Sequence, residues 1–406
     1  MESVGNTKHV KISISKIGLF SVISFFFLSL FGRILYPFGD EPDFTIRAPR
    51  VINGEHSWWS PYYLFSDFFK LLDSSSACQI ESSPFSLSAY IDPFYCIESL
   101  EQILFRWLFT FFLLSPFFVM IVFRNQFFML FRLWDKKLTK IEWNLKQKAL
   151  AVSLLFPGVI YYLGVFAEEQ LTLMLSLLIF IVWRQRLFVL LILALIFSID
   201  YGNSIVVAGF VFSSWFYTYL LKFFKLKIII LFLLIQISSA YLIGFAILEF
   251  TSSIAFLSDK SDAMLSSIDG GGYVKKYPVL LRPVITFMSF IYSSPAYIKV
   301  PFLYILFGVF FLHASFKLTK KYKYFCQGPI SQSKNLDRDV VLALVGLGFV
   351  LSVVFMFPTY GNAKYYVFLM PFFMAVILRL YSPLNSTFVM IISNIILYLH
   401  LLVYRL

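Results

Sequence analysis

In PFGDEPDFTIRAPR, Pro37 to Arg50, the carboxylates Asp40, Glu41 and Asp43 sit close together and are followed by the guanidinium groups of Arg47 and Arg50. A carboxylate can take the proton from an attacking hydroxyl, directly or through a bound divalent cation, while Arg stabilises charge on a departing phosphate. Arg suits a diphosphate because its planar fork gives paired hydrogen bonds. Pro37 and Pro42 bracket Asp40 and Glu41, so the stretch reads as a fixed acidic site beside an anion-binding one. The bland alternative is a solvated loop start capped by charges. The chemistry such a pair suits is transfer of a sugar from a lipid phosphate, with no cofactor required and a divalent cation, Mg or Mn, as an option.

Three further polar stretches can be read two ways. DGGGYVKKYPVLLRP (Asp269 to Pro283) combines a glycine run that allows tight turns with Lys275, Lys276 and Arg282. The lysine pair is either solvated, bound to lipid head groups, or part of an anion site. Glu168 and Glu169, in GVFAEEQLTL, are a polar hairpin tip or substrate-binding groups. Asp200, Tyr201, Gly202 and Asn203 read first as a turn and second as a sugar-binding edge. His56 reads as structural.

These residues need a scaffold, and the composition says which kind. Apolar residues make up 59% of the 406-residue chain against 14% charged, and they come in blocks near the length that crosses a bilayer. The expectation is an all-α, polytopic integral membrane bundle, residues 1–406 forming one transmembrane domain. Eleven candidate spans follow: 17–36, 104–123, 149–166, 170–183, 187–199, 205–221, 228–249, 285–312, 340–357, 365–380 and 388–404. Two of them, 170–183 and 187–199, are short for a straight crossing. They read as half-buried hairpins, or as helices extended by snorkelling at the Arg184/Arg186 turn. The first span lacks a small-residue cleavage site, so it reads as uncleaved.

The net charge of +12 would suggest nucleic acid in a soluble protein. Here the cations cluster in short gaps between apolar blocks, which is how membrane topology uses them, and nucleic acid is excluded as a partner. With the N-terminus cytoplasmic, the gaps 124–148, 184–186, 222–227, 313–339 and 379–387 fall on the inner side and hold every dense basic cluster. The same parity puts Asp40, Glu41, Asp43, Glu168, Glu169 and Asp200 on the outer face. Two outer loops are long, 37–103 and 251–284, and the first carries Trp58, Trp59 and an amphipathic PYYLFSDFFKLL suited to the membrane interface.

Cys78 and Cys96 share the first outer loop, while Cys326 lies in an inner gap. An oxidising compartment would pair the first two, closing 17 intervening residues for about 3 kcal/mol; otherwise they are free thiols. The sequence shows no internal repeat, Gly-rich nucleotide loop, metal-spaced Cys/His cluster or Ser-His-Asp arrangement.

GDEPD (Gly39 to Asp43), the long aromatic first outer loop, the short central spans and the late YGNAKYYVFLMP (Tyr360 to Pro371) together resemble the GT-C class of polytopic glycosyltransferases. The stretch Tyr360 to Pro371 is similar to the Arg-Tyr-x-x-x-x-x-Pro stretch of that class, with Lys364 where arginine is common. Within it, the size and the aromatic, low-charge composition look most like the Wzy-type polymerases of O-antigen and capsule assembly. That resemblance implies a bacterial inner-membrane enzyme that joins undecaprenyl-diphosphate-linked oligosaccharide units on the periplasmic face, with a chain-length regulator as a further partner. It makes Asp40, Glu41 and Asp43 the catalytic set. Arg47, Arg50, Glu168, Lys275, Lys276, Arg282, Tyr360 and Lys364 become substrate-binding, with Arg282 as the functional arginine. One departure stands out: in those polymerases the main loops with functional arginines lie in the second half, whereas here the longer loop is the first. Two alternatives remain, a GT-C enzyme using a polyprenyl-monophosphate sugar and a polysaccharide flippase or transporter.

Overall fold

The computed structural model describes residues 14–35, 100–164, 167–254, 278, 301–321, 336–356 and 365–405. The loops 37–99 and 255–277 and the segments 279–300 and 357–364 lie outside the described residues. Among the described residues the protein is all-helical: α1 (Lys16–Leu35), α2 (Leu100–Val122), α3 (Arg124–Trp134), α4 (Lys140–Ser153), α5 (Pro157–Gly164), α6 (Glu168–Val182), α7 (Arg186–Ile199), α8 (Tyr201–Leu220), α9 (Leu226–Ser252), α10 (Pro301–Lys321), α11 (Leu336–Met356), α12 (Met370–Leu380) and α13 (Pro383–Arg405). Three helices are long and apolar enough to cross a membrane, over Lys16–Ile34, Leu104–Val122 and Arg338–Met356. The expected set of about eleven spans therefore rests on shorter helices and on residues outside the described ones.

α1 shows how the sequence builds a lipid-facing helix. Ser15 Oγ accepts the Gly18 N–H at 3.1 Å and caps the first turn. Leu19, Phe20, Ile23, Phe27 and Phe31 then form an exposed apolar stripe at helical spacing, while Val22 and Phe25 are buried. An exposed stripe of that kind is stable where the surroundings are hydrocarbon. The Ser15 N–H donates to Val122 O at 2.9 Å, whereas Trp107 Nε1 donates to Phe26 O at 2.9 Å. α1 and α2 are therefore antiparallel neighbours, seamed by Phe25 against Phe118 and by Phe26 against Trp107.

The candidate span 149–166 is not one helix. α4 begins earlier, at Lys140, behind a Thr139 cap that accepts from Glu142 N, and it ends at Ser153. Leu154 to Phe156 form a turn, and Pro157 opens α5. Proline has no N–H to continue the ladder and is well placed as a first helical residue. The turn is fully buried, and Asn394 of α13 donates Nδ2 to Leu155 O at 2.7 Å, supplying the hydrogen bond that water cannot.

Other expectations are refined in the same way. α6 and α7 have 15 and 14 residues, about 22 Å and 21 Å, and pack as a hairpin without extending across the Arg184/Arg186 turn. The gap 124–148 contains α3 and the start of α4, because the apolar residues of 127–134 recur at helical spacing. The span 365–380 opens with a 3₁₀ turn at Val367–Leu369 before α12. Helix also replaces the edges of both long loops, at Leu100–Ile103 and Thr251–Ser252.

The centre is aromatic. Phe210 of α8 meets Trp183, Phe368 and Phe372 at ring-centroid distances of 5.7, 5.6 and 5.1 Å, and Phe180 of α6 meets Phe372 at 4.9 Å. Close backbone approach matters most at Gly18, where an added Cβ would sit 2.4 Å from Ile121 O. A Gly308 Cβ in α10 would meet nothing within 4 Å. Gly18→Ala should thus lower the thermal midpoint of the detergent-solubilised protein by several degrees. Gly308→Ala should hold or raise it, since alanine is favoured in a helix by up to about 1 kcal/mol.

Candidate functional site

α6 measures the distance between two polar clusters. Its first turn holds Glu168, Glu169 and Gln170; near its other end, Ile181 O accepts from Lys146 Nζ at 2.7 Å. The thirteen steps from residue 168 to 181 correspond to about 20 Å of helix. α1 ends at the Glu168 side, because Arg33 Nη2 donates to Gly164 O at 2.7 Å. That end of α1 leads along the chain directly into the acidic stretch, and is called here the first-loop end.

At the first-loop end the polar groups are buried. Glu168 and Glu169 are each 5% exposed, Gln170 0%, Thr172 1%, Asp200 2% and Asn203 6%. The two glutamates are therefore not a solvated hairpin tip. They occupy the first turn of α6, where the helix macrodipole favours negative charge. Gln170 Nε2 donates to Leu163 O at 2.8 Å, so Arg33 and Gln170 together satisfy the frayed carbonyl end of α5.

Asp200 has a structural role that its turn-like sequence suggested. Its Oδ1 accepts from Gly202 N at 2.9 Å and Asn203 N at 3.3 Å, capping α8. Its Oδ2 accepts from Asn203 Nδ2 at 2.8 Å, and the same amide donates to Thr172 Oγ1 at 3.2 Å. Thr172 in turn donates to Glu169 O, and Ser176 donates to Thr172 O at 2.6 Å. A continuous hydrogen-bonded chain thus runs from the α8 cap into α6.

This chain borders a small cavity of about 10 Å³, room for about one water, among Tyr162, Glu169, Thr172, Ser176, Asn203 and Phe368. Its lining combines one carboxylate, one amide and three hydroxyl-bearing side chains with Leu173, Val207 and the ring of Phe368. Hydroxyl and amide groups beside an aromatic ring are the kinds of side chain that contact a polyhydroxylated ligand, and here they bond chiefly to one another. Among the described residues no group of three His, Cys, Asp or Glu side chains is placed to hold a metal ion.

Of the residues picked out from the sequence, the structure brings together Glu168, Glu169, Asp200 and Asn203. Asp40, Glu41, Asp43, Arg47, Arg50, Lys275, Lys276, Arg282, Tyr360, Lys364, Cys78 and Cys96 lie outside the described residues. Sequence reasoning missed Tyr162, Gln170, Thr172 and Ser176. Thr172 and Ser176 follow Glu169 at three and seven residues, one helical stripe, and that spacing was the available signal.

The opposite end carries the basic groups, but not alone. Arg184 lies 2.8 Å from Glu142 Oε2 and 3.7 Å from Asp135 Oδ2, and Arg338 lies 2.9 Å from Glu142 Oε1. Arg379 pairs with Asp339, its Nε at 3.1 Å. These carboxylates were not anticipated, although Thr139-x-x-Glu142 is a helix-start pattern. Burial, reinforced by Arg338, pushes the Lys146 ammonium down to about 8, against the partial opposition of Glu142.

No family model, curated protein or solved structure matches the chain.

Asp200→Ala removes a cap and an anchor of Asn203, and should destabilise the fold by about 1–2 kcal/mol in thermal or denaturant unfolding. Lys146 makes a pH prediction. Its folded value lies below the ordinary 10.5, so the burial penalty is complete below about pH 8 and is relieved as pH rises from about 8 to 10.5. Wild type should gain stability over that window relative to Lys146→Met, measured as the difference in unfolding midpoint at pH 7.5 and 10.

Proposed function

We propose that the protein is a membrane glycosyltransferase of surface-polysaccharide assembly that transfers a lipid-linked saccharide at the first-loop end of the bundle. The observation that carries this reading is the buried polar cluster of Glu169, Thr172, Ser176, Asn203 and Tyr162, at the end of α1 from which the acidic stretch continues. In this reading Asp40, Glu41 or Asp43 takes the proton of the acceptor hydroxyl. Arg47, Arg50, Lys275, Lys276 and Arg282 hold the phosphate, joined by Tyr360 and Lys364. The cluster binds sugar hydroxyls, with Glu169 accepting from them. The finer form is a Wzy-type polymerase using undecaprenyl-diphosphate-linked units on the periplasmic face of a bacterial inner membrane, with the N-terminus cytoplasmic. A GT-C transferase using a polyprenyl-monophosphate sugar makes the same use of these groups.

A transporter or flippase is the second reading, and one finding gives it weight. The sequence places few charges inside the apolar blocks, yet Arg33, Lys146, Glu168, Glu169 and Asp200 are all buried in the bundle. Buried ionisable groups in membrane helices commonly mark a substrate or ion path.

Deletion and complementation with polysaccharide gel analysis separates these readings. A polymerase leaves one repeat unit on the lipid-A core and loses long chains; an earlier transferase or a flippase leaves no unit. Asp40→Ala, Glu41→Ala and Glu169→Gln should each abolish or shorten the ladder at unchanged expression. A wild-type ladder in all three rejects the site.

A further inference from the structure

At the basic end an apolar groove runs between α3 and the α6–α7 hairpin. Phe131, Trp134, Leu138, Ile181, Val182 and Phe188 line a cavity of about 220 Å³, with Asp135 and Gln185 as its polar members. The helix beside it is amphipathic and is seated by Phe131 against Trp143 and Trp134 against Phe188. Met129, Leu130, Leu133 and Trp134 of α3 are 63%, 52%, 75% and 64% exposed, while Phe128 is buried. Extended backbone at Phe123 separates α3 from α2, so α3 starts where a membrane-spanning helix ends. An 11-residue helix with exposed Leu and Trp at that level has the character of a segment lying in the membrane interface.

The charge around the groove selects the occupant. Residues 132–148 contain Arg132, Lys136, Lys137, Lys140, Lys146 and Lys148 against Asp135 and Glu142. Both carboxylates are engaged by Arg184, and Glu142 also by Arg338. Asp135 Oδ1 additionally accepts the Lys137 N–H at 3.0 Å. Lys136 and Lys137, next in the chain to Asp135 of the lining, are exposed, whereas Arg186 lies over the Trp215 ring at 5.4 Å; the groove is thus flanked by a positive excess. A purely apolar occupant would not use that charge, and an acidic water-soluble one would not use the groove.

We propose that the groove between α3 and the α6–α7 turn binds one anionic phospholipid, an acyl chain lying along Phe131, Leu138, Ile181 and Val182 and the phosphate meeting Lys136 and Lys137. This site lies at the end opposite the buried polar cluster and does not depend on the proposed activity. The bound lipid would fasten α3 to the hairpin, whose Arg184 already holds Asp135 and Glu142.

Native mass spectrometry of the full chain, titrated with phosphatidylglycerol or with phosphatidylcholine of the same chains, tests it. Wild type should retain one phosphatidylglycerol in preference to phosphatidylcholine. Lys136→Gln with Lys137→Gln, both at exposed positions, should weaken that retention roughly five-fold per lysine, which follows from the strength of a basic side chain at an anionic surface. Val182→Trp, which fills the groove, should lose both lipids while the lysine pair is intact. Equal retention of the two lipids by wild type overturns the proposal, as does wild-type retention by Val182→Trp. A lipid-free dimer mass in place of the lipid adduct, showing a second copy on this face, overturns it too.

Discussion

The whole arrangement depends on hydrogen bonding the backbone where helices break inside an apolar bundle. Water is not available there to take up a stranded N–H or C=O, so each break must be met by a protein group or cost several kcal/mol. The turn after α4 is met by Asn394, the end of α5 by Arg33 and Gln170, the start of α8 by Asp200, and the end of α2 by the N–H of Ser15. Short helices thereby force polar side chains into the interior. They also fix where those side chains go, because each must reach a specific carbonyl or amide.

The polar cluster at the first-loop end follows from that constraint. α5, α6 and α7 are shorter than about 30 Å of hydrocarbon requires, and the ends of α5, α6 and α8 meet inside the bundle. Glu168 and Glu169 enter at the start of α6, Asp200 and Asn203 at the start of α8, and Arg33 comes from α1 to serve α5. Side chains recruited to satisfy helix ends are then in place to contact a ligand. Asp200 illustrates the division of labour: both of its oxygens are occupied by the α8 cap and Asn203, so it positions the amide and leaves Glu169 to line the cavity.

How much of this could be read beforehand varied with the physical origin of each feature. Helical membrane character came through because block length and apolarity act locally; the exposed stripe of α1 needs no partner to be recognised. The break at Leu154–Phe156 was harder, since Pro157 announces a helix start but the apolar run continues through it, and only Asn394, distant in sequence, makes the turn tolerable. α3 was hidden because its charged neighbours suggested a loop. The buried state of Glu168 and Glu169 could not be inferred from charge alone, because a carboxylate pair at a hairpin reads as solvated until the packing of α1 and α8 over it is known. The acidic stretch and the late basic loop were identified from residue type, and their relation to the cluster is given only by the few residues that separate Asp40 from the end of α1.

The two ends of α6 differ in what they leave for a ligand. At the basic end Arg184 spans Asp135 and Glu142, Arg338 shares Glu142, Arg379 holds Asp339, and Lys146 is turned inward onto a carbonyl. Those charges are spent on one another, and partly buried pairs of this kind fix geometry more than they add stability. What that end still offers is apolar surface with a cationic rim, which suits a lipid. At the first-loop end the hydrogen-bonding groups of α6 and α8 bond to one another around a small cavity. The two ends of one short helix hairpin thus present different chemistry, an interior hydrogen-bonded cluster at one and an ion-pair network that ties α4 to the α6–α7 turn at the other.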